Sequence, residues 1–486
     1  MNGAWTVGKR RQTAEFTICA CLKGSADFME EVEEAQRHWN VQVKLKERAQ
    51  LQIEWSVGSV GLPSSLTKTA PICYIWIGIT GGAKGGTAVE LLFKAAVITL
   101  AGCVAGKLAK SVRLSKLLGY LLAGLLLGPS LLRLISSADL AALLIAGEVA
   151  LAVVAFKLGS ELVFRDLKDL GRSFLVITLG EVAGAVFVVF AILYFVFKQD
   201  LVFSMLMAAA AVGTAPTAAL MIMRQYRARG PVASTLLPVA ALDGVLGVVL
   251  FGIALSLAKT HLAAQGGALS SWQVVSQPLV EIGGSLMLGA IFGVALAFLG
   301  KKAGDTDELL IMSLALILVC TGSAYMLSFS PLLANIALGL MLANVSRISN
   351  RIILCLNSFT PPVYLLFFAL VGASLELAGL PSLLGVAAAY ILARAVGKVL
   401  GSWAGAWAVQ AEPSVQKYLG LTLLPQGAIS IALAVMVRRQ LPQYSAAFTA
   451  IMVLSVLLFE VLGPGIARRA FRKAEEVGGL GRQLIG

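Results

Sequence analysis

Apolar residues in this chain come in long unbroken runs, and polar residues collect in short stretches between them. From Ala88 onward thirteen runs are candidate membrane-spanning helices: 88–109, 117–135, 139–162, 173–197, 200–223, 235–258, 279–300, 308–327, 330–346, 361–377, 381–409, 416–437 and 444–467. At 1.5 Å rise per residue, about 20 apolar residues cross the hydrocarbon core. The ninth and tenth runs are short by that measure. Residues 1–70 read differently. They are polar and mixed in charge, with Glu30, Glu31, Glu33 and Glu34 close together, and they begin with no signal-peptide pattern. Residues 71–79 are apolar but too short to span, and a Gly-rich stretch, Gly81 to Gly86, follows. We expect 1–87 to be a poorly ordered extension outside the conserved fold, 88–472 to be the transmembrane domain, and 473–486 to be a cytoplasmic tail.

Composition supports the pattern. The 486 residues are 58% hydrophobic and 13% charged, with a mean hydropathy of +0.85, whereas soluble domains carry about 25% charged residues. This excludes a soluble enzyme, a disordered chain and a nucleic-acid binder, and it makes the lipid bilayer the surrounding medium. Two His, His38 and His261, and six Cys without a CxxC pair supply no zinc site or disulfide framework, although Cys19 and Cys21 form a close thiol pair in the extension. No cofactor is expected.

The formal net charge of +13 is placed unevenly. Connections after odd-numbered runs, together with the C-terminal segment, hold Lys107, Lys110, Arg113, Lys116, Arg165, Lys168, Arg172, Arg224, Arg227, Arg229, Lys301, Lys302, Arg347, Arg351, Lys417, Arg468, Arg469, Arg472, Lys473 and Arg482. Connections after even-numbered runs hold only Arg133, Lys198, Lys259, Arg438 and Arg439. By the positive-inside rule this predicts a multi-pass protein of the cell membrane, N-terminus out and C-terminus in.

Ionisable residues within the runs are few: Glu148, Lys157, Glu161, Glu181, Asp243, Arg394, Lys398 and Glu460. Each is costly in a bilayer and therefore a functional candidate. Lys157 and Glu161 are four apart and can pair on one helix face. Glu148 and Glu181 read as polar contacts between helices, and Glu460, ahead of Gly463-Pro464, reads as a structural group at a helix end. Asp243 is different. It sits mid-run with two apolar turns on either side and no Lys or Arg within a turn of it. A buried Asp needs a cation or a proton as partner, and Arg394 and Lys398, one turn apart in the eleventh run, are the deep cations available.

Two runs are interrupted. The fifth carries Val212-Gly-Thr-Ala-Pro-Thr-Ala218 and the twelfth Leu424-Pro-Gln-Gly-Ala-Ile-Ser430. Pro216 and Pro425 remove backbone donors, Gly427 loosens the second break, and freed carbonyls are tolerated in a bilayer where they line a polar cavity. Both breaks fall in the fifth run of a set of six, runs 1–6 and 8–13. An odd offset between the sets inverts one relative to the other. The predicted fold is all-α, with about 13 transmembrane helices, inverted six-helix repeats and two crossed discontinuous helices around a midplane site.

Several stretches carry a resemblance to a known family: Leu118-Gly-Tyr-Leu-Leu-Ala-Gly-Leu-Leu-Leu-Gly-Pro-Ser130, Ala155-Phe-Lys-Leu-Gly-Ser-Glu-Leu162, Thr214-Ala-Pro-Thr217, Ser330-Pro-Leu-Leu-Ala-Asn335, Ala393-Arg-Ala-Val-Gly-Lys398 and Leu424-Pro-Gln-Gly427. Over residues 88–472 the chain resembles bacterial monovalent cation:proton antiporters of the sodium/proton exchanger superfamily, in the Kef-type branch. The resemblance implies the sodium/proton antiporter fold, a homodimer, and a core of roughly helices 3–5 and 10–13 moving against a panel domain. It implies no enzymatic activity. It places the ion-binding carboxylate at Asp243 and the partner lysine at Lys398. Electrogenic members carry two adjacent Asp here; this chain has Gly244 after Asp243, which leaves stoichiometry open.

The expected mechanism is competition of one monovalent cation (Na+ or K+) and one proton for Asp243. Thr214, Thr217, Gln426 and backbone oxygens would complete the oxygen shell that hard cations require. Lys398, with Arg394, would hold the Asp charge when the cation is absent. The competing readings are a cation-coupled organic-anion symporter of similar fold, a non-transporting relative, and an intramembrane aspartyl protease. The deep lysine argues against the first. The protease needs a second deep Asp on a facing helix.

Overall fold

The computed structural model describes residues 15–18, 42–46, 50–54, 88–112, 114–163, 172–214, 223–224, 226–265, 271–346, 348–375, 377 and 379–477. The chain divides into two units, Met1–Gly81 and Gly82–Gly486. In the first, three strands, β1 (Glu15–Ile18), β2 (Gln42–Lys46) and β3 (Gln50–Glu54), form an antiparallel sheet of order β1-β3-β2. Gln-Val-Lys-Leu-Lys and Gln-Leu-Gln-Ile-Glu alternate polar and apolar, the period of a strand. Charge was the more conspicuous feature of this segment, and the short period-2 pattern passed beneath it.

The second unit is helical. Its main elements are α1 (Ala88–Ser111), α2 (Lys116–Leu127), α3 (Leu144–Ser160), α4 (Ser173–Ala191), α5 (Leu201–Ala210), α6 (Pro231–Gln265) and α7 (Ser271–Leu299). Then come α8 (Thr306–Met326), α9 (Pro331–Val345), α10 (Ser349–Ala373), α11 (Leu380–Ala408), α12 (Pro413–Thr422), α13 (Ala428–Gln440) and α14 (Pro442–Lys473). A short helix, Ser137–Ala142, leads into α3. Each apolar run falls on a helix; the third takes in the short helix as well as α3, and the twelfth falls on α12 and α13. Among the described residues eight helices are long and apolar enough to cross a membrane.

Two boundaries differ from expectation. The tenth apolar run is 361–377, but α10 begins at Ser349 and holds Pro361 and Pro362 in its interior. Likewise Pro464 lies inside α14, so Glu460 is buried within a continuous helix rather than at its end. A proline keeps its helix when neighbouring elements re-satisfy the backbone groups it frees.

The inverted repeat is visible in backbone contacts. Gly124 of α2 meets Ala369 O of α10, and Gly372 of α10 meets Leu121 O of α2. Gly339 of α9 meets Phe156 O of α3, and Gly159 of α3 meets Ile336 O of α9. An offset of seven runs carries the α2–α10 pair onto α9–α3. The same offset pairs α4 with α11, and these two form the closest-packed helix pair of the unit. Packing also groups α1–α3 with α8–α10, and α4–α6 with α11–α14. Helix 3 and helix 10, expected in the core with helices 4 and 11, therefore pack with α1, α2, α8 and α9 instead. The resemblance had implied the core for them, whereas the repeat-related pairs α3–α9 and α2–α10 hold them in the other group.

Candidate functional site

The site forms where α4 and α11 cross. A Cβ on Gly401 would lie 2.4 Å from Gly180 O, and one on Gly184 would lie 2.5 Å from Gly397 O. Real Cβ atoms do not approach backbone that closely, so only glycines allow the crossing. Glu181 stands next to Gly180 and Lys398 next to Gly397, so the crossing itself brings these two side chains together.

Lys398 Nζ is fully buried and donates three hydrogen bonds: to Glu181 Oε1, to Asp243 Oδ2 at 3.0 Å and to Thr214 Oγ1 at 2.9 Å. Glu181, Asp243 and Thr214 are also fully buried. The Thr214 amide donates to Asp243 Oδ2 at 3.0 Å, and its hydroxyl donates to Leu423 O at 3.1 Å. One threonine thus ties the end of α5 to the carboxylate of α6 and to the break after α12. Among the described residues, Asp243 Oδ1 and Glu181 Oε2 accept no hydrogen bond. Two buried carboxylate oxygens facing no donor are where a proton or a small cation gains most.

Arg394 takes a different place from the one expected. Its Nε donates to Ala211 O at 2.9 Å, Nη2 to Gly213 O at 3.1 Å and Nη1 to Leu424 O at 2.8 Å, and its guanidinium lies 4.8 Å from the Phe459 ring centroid. Those carbonyls follow the C-terminal ends of α5 and α12, where helix dipoles concentrate negative potential. Arg394 neutralises the two half-helix ends, while Lys398 serves the carboxylates.

Gln426 lies at the second break, but its amide is engaged away from Asp243. It donates to Ser430 Oγ at 2.7 Å and to Tyr390 Oη at 3.5 Å, and it accepts from Ser455 Oγ at 2.6 Å. Pro425 and Gly427 separate α12 from α13 as expected. Pro216 and Thr217 lie outside the described residues.

Glu181 is the site residue that sequence reading passed over as a contact between helices. The signal that finds it is its position between Gly180 and Gly184, facing a run that carries Gly397, Gly401 and Gly405. Lys157 bonds to Asn357 Oδ1 at 3.0 Å, so the side-chain partner it takes is on α10, whereas spacing alone had suggested Glu161. A Cβ on Gly244 would meet Ile429 Cδ1 and Leu158 Cδ1 at 3.2 Å. Position 244 faces apolar side chains while Asp243 faces the lysine.

Two cavities lie at opposite ends of α6. One of about 410 Å³ is lined by Ser173, Pro231, Ser234, Pro238, Glu412 and Val415. The other, of about 510 Å³, is lined by Lys259, Glu281, Tyr325, Leu332, Met436 and Arg439. Asp243 lies between them along the helix. At the second cavity Arg439 Nε of α13 approaches Glu148 Oε1 of α3 at 3.0 Å, and Lys259 bonds both Glu281 oxygens at 2.9 Å.

Comparison with known proteins agrees with this architecture. The ammonium/H+ antiporter subunit AmhT of Alkalihalophilus pseudofirmus is 24% identical over 389 residues, 79% of this chain and 95% of that protein. The structure of the sodium proton antiporter MjNhaP1 from Methanocaldococcus jannaschii at pH 8 superimposes with a TM-score of 0.64 at 18% identity, covering 79% of this chain and 99% of that one. A second structure of the same antiporter, from electron microscopy, gives a TM-score of 0.62 at 19% identity and covers 80% of this chain and 98% of that one. The model of the sodium/hydrogen exchanger transmembrane family matches residues 95–469. The buried carboxylate–lysine site at two broken helices thus belongs to a membrane antiporter, and the chain is a member of the sodium/hydrogen exchanger family.

Proposed function

We propose that this protein exchanges a monovalent cation for a proton, with Asp243 as the group for which the two compete. The observation that carries the reading is the placement of Asp243. It is fully buried, bonded by Lys398 and the Thr214 amide, and among the described residues its other oxygen accepts no hydrogen bond. A proton on Asp243 and a cation beside it exclude each other, because either one satisfies the same charge. Competition for one carboxylate then couples the two fluxes. Thr214 and backbone carbonyls at the breaks supply further oxygens for a dehydrated cation. Gln426 supports the second break through Ser430 and Ser455.

The printed names of the relatives, an ammonium/H+ antiporter subunit and a sodium proton antiporter, support a monovalent cation substrate. Alternating access follows if the group α4–α6 and α11–α14 shifts against α1–α3 and α8–α10, exposing Asp243 to each side of the membrane in turn. Loop charge supports an N-out, C-in orientation, and we take the working assembly to be a homodimer. Purified protein in proteoliposomes with a pH-sensitive dye tests the assignment. Adding sodium, potassium, lithium or ammonium chloride should release lumenal protons with the wild type. Asp243→Asn should abolish that release while eluting as a folded, monodisperse protein. Cation-driven proton release that persists in the variant removes Asp243 from the mechanism.

A further inference from the structure

The charge count at the site carries a second conclusion, which rests on the function proposed above. Arg394 is taken up by three backbone carbonyls at the ends of α5 and α12. Two half-helix ends of about −0.5 charge each balance its +1. Lys398 is then the cation ion-paired to two carboxylates, Asp243 and Glu181, all three fully buried. With the lysine protonated and both acids ionised, the empty site carries a net charge of −1. One monovalent cation or one proton brings it to zero.

We infer that Glu181 is the coupling residue of the transporter, the second carboxylate that makes the loaded site neutral and the empty site charged. A net charge confined in a low-dielectric interior is strongly disfavoured, whereas a balanced group is tolerated. The cation-loaded and proton-loaded forms can therefore cross the barrier between the two access states, and the empty form cannot. Without Glu181, Asp243 and Lys398 would neutralise each other. The empty carrier would then cross freely, and each loaded form would carry an excess positive charge. Gly244 cannot substitute for Glu181, since its position packs on Leu158 and Ile429. The carboxylate comes from α4 because the glycine crossing delivers it to Lys398. Because both loaded forms are neutral, exchange is one cation for one proton and electroneutral.

The test uses full-length protein in proteoliposomes with sodium, potassium, lithium and ammonium chloride as probes. Exchange by the wild type should change less than twofold when a potassium–valinomycin potential is imposed, with the potassium probe omitted from that arm. Glu181→Gln should lower the apparent cation affinity at least tenfold. It should also uncouple the fluxes, so that the cation leaves down its gradient with less than one proton returned. An exchange rate that follows the potential overturns the inference, as does a folded Glu181→Gln with wild-type affinity and coupling. If Glu181→Gln does not fold, the potential dependence of the wild type decides alone. Asp243→Asn separates the two levels: if it still exchanges, the function assigned to Asp243 fails. If it is inactive while Glu181→Gln behaves as wild type, only the role of Glu181 fails.

Discussion

Lys398 is the residue on which the site depends most. Among the described residues it is the only side chain with bonds to both buried acids, and it also holds the Thr214 hydroxyl that reaches the second break. Removing one member of a buried ionic group leaves its partners uncompensated and costs about 3–5 kcal/mol. Lys398→Met should therefore lower the thermal unfolding midpoint in detergent well below that of Asp243→Asn, which keeps a hydrogen-bonding side chain. An unchanged midpoint would show the acids to be satisfied by other means. Arg394→Met should also destabilise, through loss of three charge-assisted bonds to backbone carbonyls. The deep carboxylate and the deep lysine were both legible in the sequence, because an ionisable residue in a long apolar run stands out. The division of labour between Lys398 and Arg394 was not. The two are one turn apart on α11 and read alike until the carbonyls of α5 and α12 are placed beside one of them.

Elements meet at this site through small residues and through capping. The α4–α11 crossing needs glycine at 401, where an added methyl would collide with Gly180 O at 2.4 Å. Backbone cannot yield as a flexible side chain can, so overpacking there costs about 1–3 kcal/mol and separates Glu181 from Lys398. Gly401→Leu should lose exchange and thermal stability together, while a leucine at Gly283, where a Cβ meets nothing within 4 Å, should leave both unchanged. The start of α6 depends on a distant carboxylate. Glu476 accepts from the Val232 amide at 2.7 Å and from the Ala233 amide at 2.9 Å, and its own carbonyl accepts from the Arg229 amide. A negative cap satisfies orphan amides and the positive end of the dipole. Glu476→Ala should cost about 0.5–2 kcal/mol, the usual range for loss of an N-cap, read as a lower unfolding midpoint. The local sequence around Pro231 shows a proline-led start but no capping side chain, because the cap is supplied from beyond α14.

At the scale of the molecule, the two helix groups touch at the cavity bordered by Lys259, Glu281, Tyr325 and Arg439. The contact of Arg439 with Glu148 and with the Tyr325 ring, 4.7 Å from its guanidinium, joins α13 of one group to α3 and α8 of the other. If the groups move past each other, this contact breaks in every cycle. Glu148→Gln should weaken it and change the exchange rate several-fold, with the apparent cation affinity unchanged because Asp243 is untouched. An altered affinity with an unaltered rate would place Glu148 at the binding step instead. Arg439 is one of the five basic residues on the sparser side of the loop charge asymmetry, and this contact with Glu148 and Tyr325 is where the structure places it.

The sequence by itself determined the class of protein, the sites of the helices and the inverted repeat, and it marked out the buried Asp243 and the proline-bearing breaks as candidates. Each of these rests on what is local or periodic: the length of apolar runs, the cost of a charge within them, the effect of proline on a helix, and a constant offset between halves. Tertiary structure alone decided which helices form the core, that Glu181 rather than position 244 supplies the second carboxylate, that Arg394 serves helix ends, and that Gln426 turns away from Asp243. Those outcomes depend on which backbones approach across hundreds of residues. A hydrophobic pattern records that a face is buried, but it does not record against what.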